Sequence, residues 1–272
     1  MKKIFYLYIL AAALFTSCED VVHVDLETAA PKLVIDASLD WTKGTDGSNQ
    51  VIKLTTTSSY YSDTVPPATG ATVYVTDDTG TVYNFVDSTN TGTYTCTDFD
   101  PAIGRSSTLT ILYQNETYTG TETLYEVPDI VNITQINDGG FLGDETEVRF
   151  YFQDNGEEDN YYLTRFDSPT LPYPAYGASD DQFTQGNLDF SLFSDKDFTA
   201  GQTLGIKLHG ISKRYKNYMD KLIEVSGGGG GGPFSTPPAT VRGNMINRTN
   251  EANYPFGYFR VTQVDSKQYT IQ

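Results

Sequence analysis

Histidine, cysteine and tryptophan are scarce in this chain of 272 residues: two His, two Cys and one Trp, with three Met beside them. Each scarcity excludes some chemistry. A serine or cysteine nucleophile usually takes its base from histidine. Only His23 and His209 exist, the first in an N-terminal stretch and the second in mid-strand beside Gly210. No G-x-S-x-G elbow occurs, and no Cys/His cluster is spaced for zinc, so neither a nucleophilic catalytic centre nor a cofactor is implied. Bases are scarce too. Eighteen Lys and Arg face 35 Asp and Glu, for a net charge of −17. Such a surface repels phosphate backbones and argues against a nucleic-acid partner. No apolar run is long enough for a transmembrane helix, and no internal repeat is evident.

The N-terminus supplies the sharpest local signal. Lys2 and Lys3 form a short positive region, and residues 4–15 are apolar but too few to span a bilayer. Thr16-Ser17-Cys18 then sets small residues before a cysteine, as in a bacterial lipobox. This predicts a signal peptide over 1–17 and a lipid-modified Cys18, with 18–31 as a tether. Loss of Lys2 and Lys3 takes the net charge from −17 to −19. Anionic lipid repels such a body, so acyl chains rather than basic residues must supply the attachment. Cys96 is then left without a partner, and Thr93-Tyr94-Thr95-Cys96 reads as a strand carrying a buried free thiol.

Abundant Tyr, Thr, Gly and Asp favour strands and turns over helices. Leu33, Ile35, Ala37 and Leu39 alternate with Val34, Asp36 and Ser38, the pattern of a half-buried strand. The same reading extends to 51–57, 71–76, 81–86, 93–96, 109–113 and 118–123, with turn signals at Asp77-Asp78-Thr79-Gly80 and Gln114-Asn115-Glu116. Seven short strands between residues 32 and 127 predict an immunoglobulin-like β-sandwich. Pro128 marks a boundary, and 128–272 reads as a second β-rich domain, with strands at 130–135, 147–153, 161–166, 203–211, 257–264 and 268–271. The stretch 167–189, rich in Pro, Gly, Asp and Tyr, reads as a long irregular excursion. After Ser212, a candidate N-cap, Tyr215, Tyr218, Met219, Leu222 and Val225 fall at helical spacing and predict a helix over 213–225. Six glycines, 227–232, follow it and are expected to form a flexible loop.

Three groups of residues could carry chemistry or contact. Acid clusters at Asp144-Glu145-x-Glu147, Glu157-Glu158-Asp159, Asp180-Asp181 and Asp195-x-Asp197 have no calcium-loop spacing and read as solvated turns. The aromatics mostly fall in strand patterns. Tyr173, Tyr176 and Phe183 sit in the irregular excursion and are candidate ligand or partner contacts, since binding residues concentrate on loops. Lys213, Arg214, Lys216 and Lys221 make the helix locally basic, a candidate docking face for an acidic partner or simply a solvated one.

Fragments through the mature chain resemble a known family: Cys18-Glu19-Asp20, Pro31-Lys32-Leu33-Val34-Ile35, Gly70-Ala71-Thr72-Val73 with Asp77-Asp78-Thr79-Gly80, Tyr161-Tyr162, Tyr215-x-x-Tyr218, Pro237-Pro238 with Val241-Arg242-Gly243-Asn244, and Phe256-Gly257-Tyr258-Phe259. In order and spacing they are similar to a Bacteroidota lipoprotein family catalogued as a domain of unknown function. The resemblance implies an outer-membrane lipoprotein, lipid-anchored on either face of that membrane and often encoded beside SusC-like TonB-dependent transporters. It carries no catalytic residue. The expected function is a non-enzymatic binding accessory to such a transporter in nutrient uptake. The alternatives are a surface adhesin or assembly subunit, and a carboxylate-dependent glycan hydrolase.

Overall fold

The alternation in the first strand is its burial pattern. Leu33, Ile35, Ala37 and Leu39 are sealed while Asp36 faces solvent, and together they form β1 (Leu33–Thr42). The computed structural model describes residues 30–59, 62–226 and 240–272. The expected leader, Cys18, nearly all of the tether and the glycine loop 227–232 lie outside the described residues.

β2 (Gln50–Thr56), β3 (Thr72–Asp77), β4 (Val82–Phe85), β5 (Thr93–Cys96), β6 (Ser106–Tyr113) and β7 (Glu116–Thr123) complete the first half. Its turns follow from side-chain chemistry. Asp77 Oδ1 accepts from the Thr79 and Thr81 amides at 3.0 and 2.9 Å and lets the chain reverse into β4. Gln114 and Asn115 both adopt positive φ, 50° and 64°, which matches the twist of the β6–β7 hairpin.

The second half contains β8 (Ile130–Gly139), β9 (Glu145–Gln153), β10 (Tyr161–Asp167), β11 (Ala175–Asp180), β12 (Leu188–Asp195) and β13 (Thr203–Gly210). Then come α1 (Lys213–Val225), β14 (Ile246–Asn247) and β15 (Phe256–Thr270). Two expectations are corrected here. The stretch 167–189 is not irregular throughout, because β11 and the start of β12 lie in it. Both are edge strands, bonded on one side only; β11 has little apolar alternation, and β12 turns its alternation, Leu188, Phe190 and Leu192, outward. The two late strands are one, β15, of 15 residues.

β15 organises the molecule. It runs parallel to β1 from Phe256 to Val264 and antiparallel to β13 from Val264 to Thr270. It thereby centres a seven-stranded sheet of order β11-β10-β13-β15-β1-β2-β5. One face of that sheet carries both main cores. Ile35, Leu39, Ile52, Leu54, Phe259 and Val261 pack against Val73, Val75, Leu109 and Ile111 of the five-stranded sheet β14-β7-β6-β3-β4. Further along, Tyr162, Phe166, Leu204, Ile206 and Leu208 pack against Val148, Phe150 and Phe152 of the three-stranded sheet β12-β9-β8. The protein is therefore mainly β, with two sandwiches sharing one sheet. The joint near Pro128 is pinned to β15. Gln263 Oε1 accepts from the Val127 amide at 3.2 Å, and Asp265 Oδ2 from the Ile130 amide at 2.7 Å. The segment from Asn244 to Val261 returns to the first sandwich, so residues 31–272 form one compact unit rather than two separable lengths of chain.

Candidate functional site

The opposite face of the shared sheet bears α1. Ser212 caps it, its Oγ accepting from the Tyr215 amide at 3.1 Å. Tyr215 and Met219 turn inward onto Leu163, Ile211 and Tyr258. The rings of Tyr215 and Tyr258 meet edge to face at 4.7 Å, and Tyr218 closes on Tyr258 at 4.9 Å. Beneath the first helical turn, buried Glu122 accepts from Ser212 Oγ at 3.1 Å and from Tyr258 Oη at 2.8 Å. Arg214 Nε donates to Tyr258 Oη at 3.2 Å, and its guanidinium also reaches the Thr121 carbonyl and Glu122. Burial, reinforced by the Glu122 charge, pushes the Tyr258 phenol far above its usual range, so it stays a neutral donor.

The far wall of this site is Thr240–Gly243, and backbone crowding sets its residues. A Cβ on Gly243 would collide with the Gly257 carbonyl oxygen, and one on Gly257 with the Ile35 carbonyl oxygen. Gly257 also adopts φ +94°, where a side chain is strained. Asn244 then acts as a substitute strand: its Nδ2 donates to the Phe259 carbonyl at 2.7 Å and its Oδ1 accepts from the Phe259 amide at 2.8 Å. The result is an open concavity of 630 Å³ lined by Lys213, Arg214, Asn217, Tyr218, Lys221, Thr240, Arg242, Gly243 and Tyr258. A smaller one of 360 Å³ lies at the joint of the sandwiches, lined by residues of both signs, including Lys43, Glu126, Asp129 and Glu158.

The residues singled out from sequence are not all brought together. Lys213 and Arg214 line the larger concavity. Lys216 does not; it bonds Asp180 at 3.0 Å and Asp220 at 3.2 Å. Tyr173 and Phe183 are 80 % and 90 % exposed but lie beyond opposite ends of β11, so they form no cluster. Tyr176 sits on β11 beneath Arg165. The acid clusters are not all solvated turns either. Glu147 is buried against Arg149 and the Gly140 amide, and Asp181 is buried with the Asn160 amide at 2.7 Å. Arg242 and Tyr258 were not singled out as contacts. The signal that could have found them is Arg242 beside Gly243, a cation next to a forced close approach of two backbone segments.

The two groups best suited to nucleophilic or acid–base chemistry in the described residues are sealed. His209 Nδ1 faces the Leu163 carbonyl at 3.0 Å, and a carbonyl can only accept, so Nδ1 holds the proton. Burial lowers its pKa and keeps the ring neutral. Burial pushes the Cys96 thiol up to about 11, far from a reactive thiolate. Among the described residues, no group of three or more His, Cys, Asp and Glu is placed to hold a metal ion.

Fold and site together define a two-sandwich β protein with a basic concavity between α1 and the segment 240–243. The chain belongs to the family described as Domain of unknown function (DUF4249), whose model matches residues 19–268. No curated protein sequence matches it. Solved structures share a shallow likeness. A two-domain fibronectin type-III segment of chicken tenascin is 9 % identical, with 67 % of this chain and 91 % of that one covered and a TM-score of 0.22. A DUF4785 family protein from Legionella pneumophila is 8 % identical, covering 65 % and 52 %, at 0.26. The chicken CNTN1 FN1–FN3 domains are 10 % identical, covering 67 % and 60 %, at 0.21. The sandwich architecture rests on the chain's own sheets and cores.

Proposed function

We propose that this protein is a lipid-anchored, non-catalytic binding accessory, tethered to the outer membrane through Cys18 and working beside a SusC-like TonB-dependent transporter. The observation that carries the binding role is the contrast between sealed chemistry and open concavity. His209 and Cys96 are shut inside the sheets, while an open recess of 630 Å³ presents cations and hydroxyls to solvent. Lipobox-like Thr16-Ser17-Cys18 supports the anchor. An anchor confines the body to the membrane plane and raises its effective concentration at any neighbouring membrane protein.

Two measurements test this reading. Cys18→Ala should release the protein from the membrane fraction or stall its processing; unchanged attachment with no loss of acyl label refutes the anchor. A pull-down of the native protein from mildly solubilised outer membranes should recover a TonB-dependent transporter. Recovery of the protein alone, together with glycan turnover abolished by one carboxylate substitution, would replace the accessory with a hydrolase.

A further inference from the structure

We infer that the concavity between α1 and residues 240–243 is a binding site for a soluble small molecule bearing two or more anionic oxygen groups, such as phosphates, sulfates or carboxylates. This deepens the binding role proposed above and rests on that role alone, not on the transporter.

The argument begins with where the positive charge lies. Sixteen Lys and Arg remain once Lys2 and Lys3 are set aside. Four of them, Lys213, Arg214, Lys221 and Arg242, line this one recess, and no carboxylate is among its lining residues. In a chain of net charge −17 that is a local reversal of sign. The geometry is not a solvated helix face alone. Residues 213, 214, 217, 218 and 221 share one side of α1, and Arg242 faces them from a different part of the chain. Arg242 is held in place by its guanidinium stacked 3.8 Å from the Tyr254 ring centroid. Behind the wall, Glu122 offsets one charge at Arg214. Lys213, Lys221 and Arg242 pair with no carboxylate among the described residues, whereas Lys216 on the other side of the same helix pairs with two. Three uncompensated cations held around one recess repel one another, and an anion inside it relieves that repulsion. Low-dielectric walls strengthen the attraction.

Shape and charge also choose between occupants. A lipid surface suits a flat basic patch, and the acidic remainder of this body would be repelled by anionic lipid. A recess with two walls and 630 Å³ of space falls in the size range of small-ligand sites. Asn217, Tyr218 and Thr240 add neutral hydrogen-bonding groups, which would orient a polyhydroxylated or ester-linked anion rather than a bare ion.

The test is calorimetric titration of the full-length protein in neutral detergent with three separate probes: inorganic pyrophosphate, citrate and a heparin-derived sulfated disaccharide. At least one should bind, and more weakly as salt rises from about 50 to about 300 mM. The double variant Lys213→Glu/Lys221→Glu should lose roughly tenfold or more in affinity, since each reversal at an exposed site is worth up to about tenfold in screened solvent. Lys53→Glu, an exposed reversal on β2, should bind as the parent does and melt like it. Silence from all three probes, equal binding by the parent and the double variant, or binding confined to phosphatidylglycerol vesicles overturns the proposal. The protein is purified without a partner, so a missing transporter in the pull-down leaves this result untouched, and failure here leaves the pull-down untouched.

Discussion

The two sandwiches use the same shared sheet but cover it differently. In the first, the covering sheet is five strands, and four of them join through adjacent pairs along the chain, β3–β4 and β6–β7. In the second it is three strands, and β12 returns from a distant stretch to pair with β9. The outward faces differ as well. Leu188, Phe190 and Leu192 of β12 alternate along its solvent side, each at least 40 % exposed, while Asp189 and Ser191 turn away from them. Both sandwiches combine hairpins with longer-range pairings; the second differs in having fewer covering strands and an apolar stripe concentrated on the outer side of one of them. β15, which enters both, joins them into one body.

That comparison predicts where the molecule breaks. The largest effect belongs to Gly257→Ala. The added Cβ meets the Ile35 carbonyl oxygen at a backbone φ of +94°, so β15 must leave β1. Combined strain and lost packing should cost about 4 kcal/mol or more, close to the whole stability of a marginally stable domain. Urea titration followed by tyrosine fluorescence should show no stable native baseline; a loss under about 1 kcal/mol would mean that β15 is not held by β1 at this point.

Next come matched truncations in the two cores. Leu109→Ala in the first and Phe150→Ala in the second should each cost about 3–5 kcal/mol, because both side chains are wholly buried. Since the sandwiches share β15, each variant should still unfold in one transition. Two resolved transitions in either variant would show that the halves are independent despite the shared sheet.

How much of this was legible in the sequence follows the same division. In the first sandwich the alternation at Leu33–Leu39, the Asp77 turn and the positive-φ pair Gln114-Asn115 are local, and each announces itself within a few residues. In the second, β11 and β12 are edges, so their pattern is weak or points the wrong way. Leu188, Phe190 and Leu192 have the spacing of a core stripe yet face solvent. The site was half legible. Lys213 and Arg214 stand out as basic residues in an acidic chain, but Arg242 becomes their neighbour only through the Gly243–Gly257 contact, which no periodicity reveals. Lys216 looked equivalent to them and is not, because Asp180 on β11 reaches it.

A smaller effect tests the face of the sheet that α1 covers. Arg260 is buried under Tyr215, 5.3 Å from its ring centroid, and donates to Asp40 at 2.6 Å. Its Nε has no partner among the described residues. Asp40 keeps about a third of its side chain in solvent. Deleting the two partners should therefore be unequal. Asp40→Ala strands a buried guanidinium and should cost about 3 kcal/mol, whereas Arg260→Met leaves a carboxylate that water can reach and should cost about 1 kcal/mol. Equal losses in urea midpoints would show that Arg260 is hydrated in the folded protein.

The same pair sets the smallest predicted effect, a dependence on pH. Burial alone would raise the Asp40 pKa, but the Arg260 guanidinium, with the Lys207 charge behind it, outweighs burial and brings it from the usual 3.8 to about 2. A carboxyl with a depressed folded pKa binds protons more readily when unfolded. Its stabilising contribution is therefore complete above about pH 4 and is lost as pH falls through about 2. Partial exposure screens the pair, so the contribution is about 1 kcal/mol rather than the full value of the shift. Other acids titrate in the same window, and Asp40→Asn isolates this one, because it cannot take up the proton. Between about pH 6 and about pH 2.5 the parent should lose about 1 kcal/mol more stability than Asp40→Asn, read from urea midpoints at each pH. Parallel losses in the two proteins would assign the acid sensitivity elsewhere and leave the Asp40–Arg260 pair a packing feature rather than an electrostatic one.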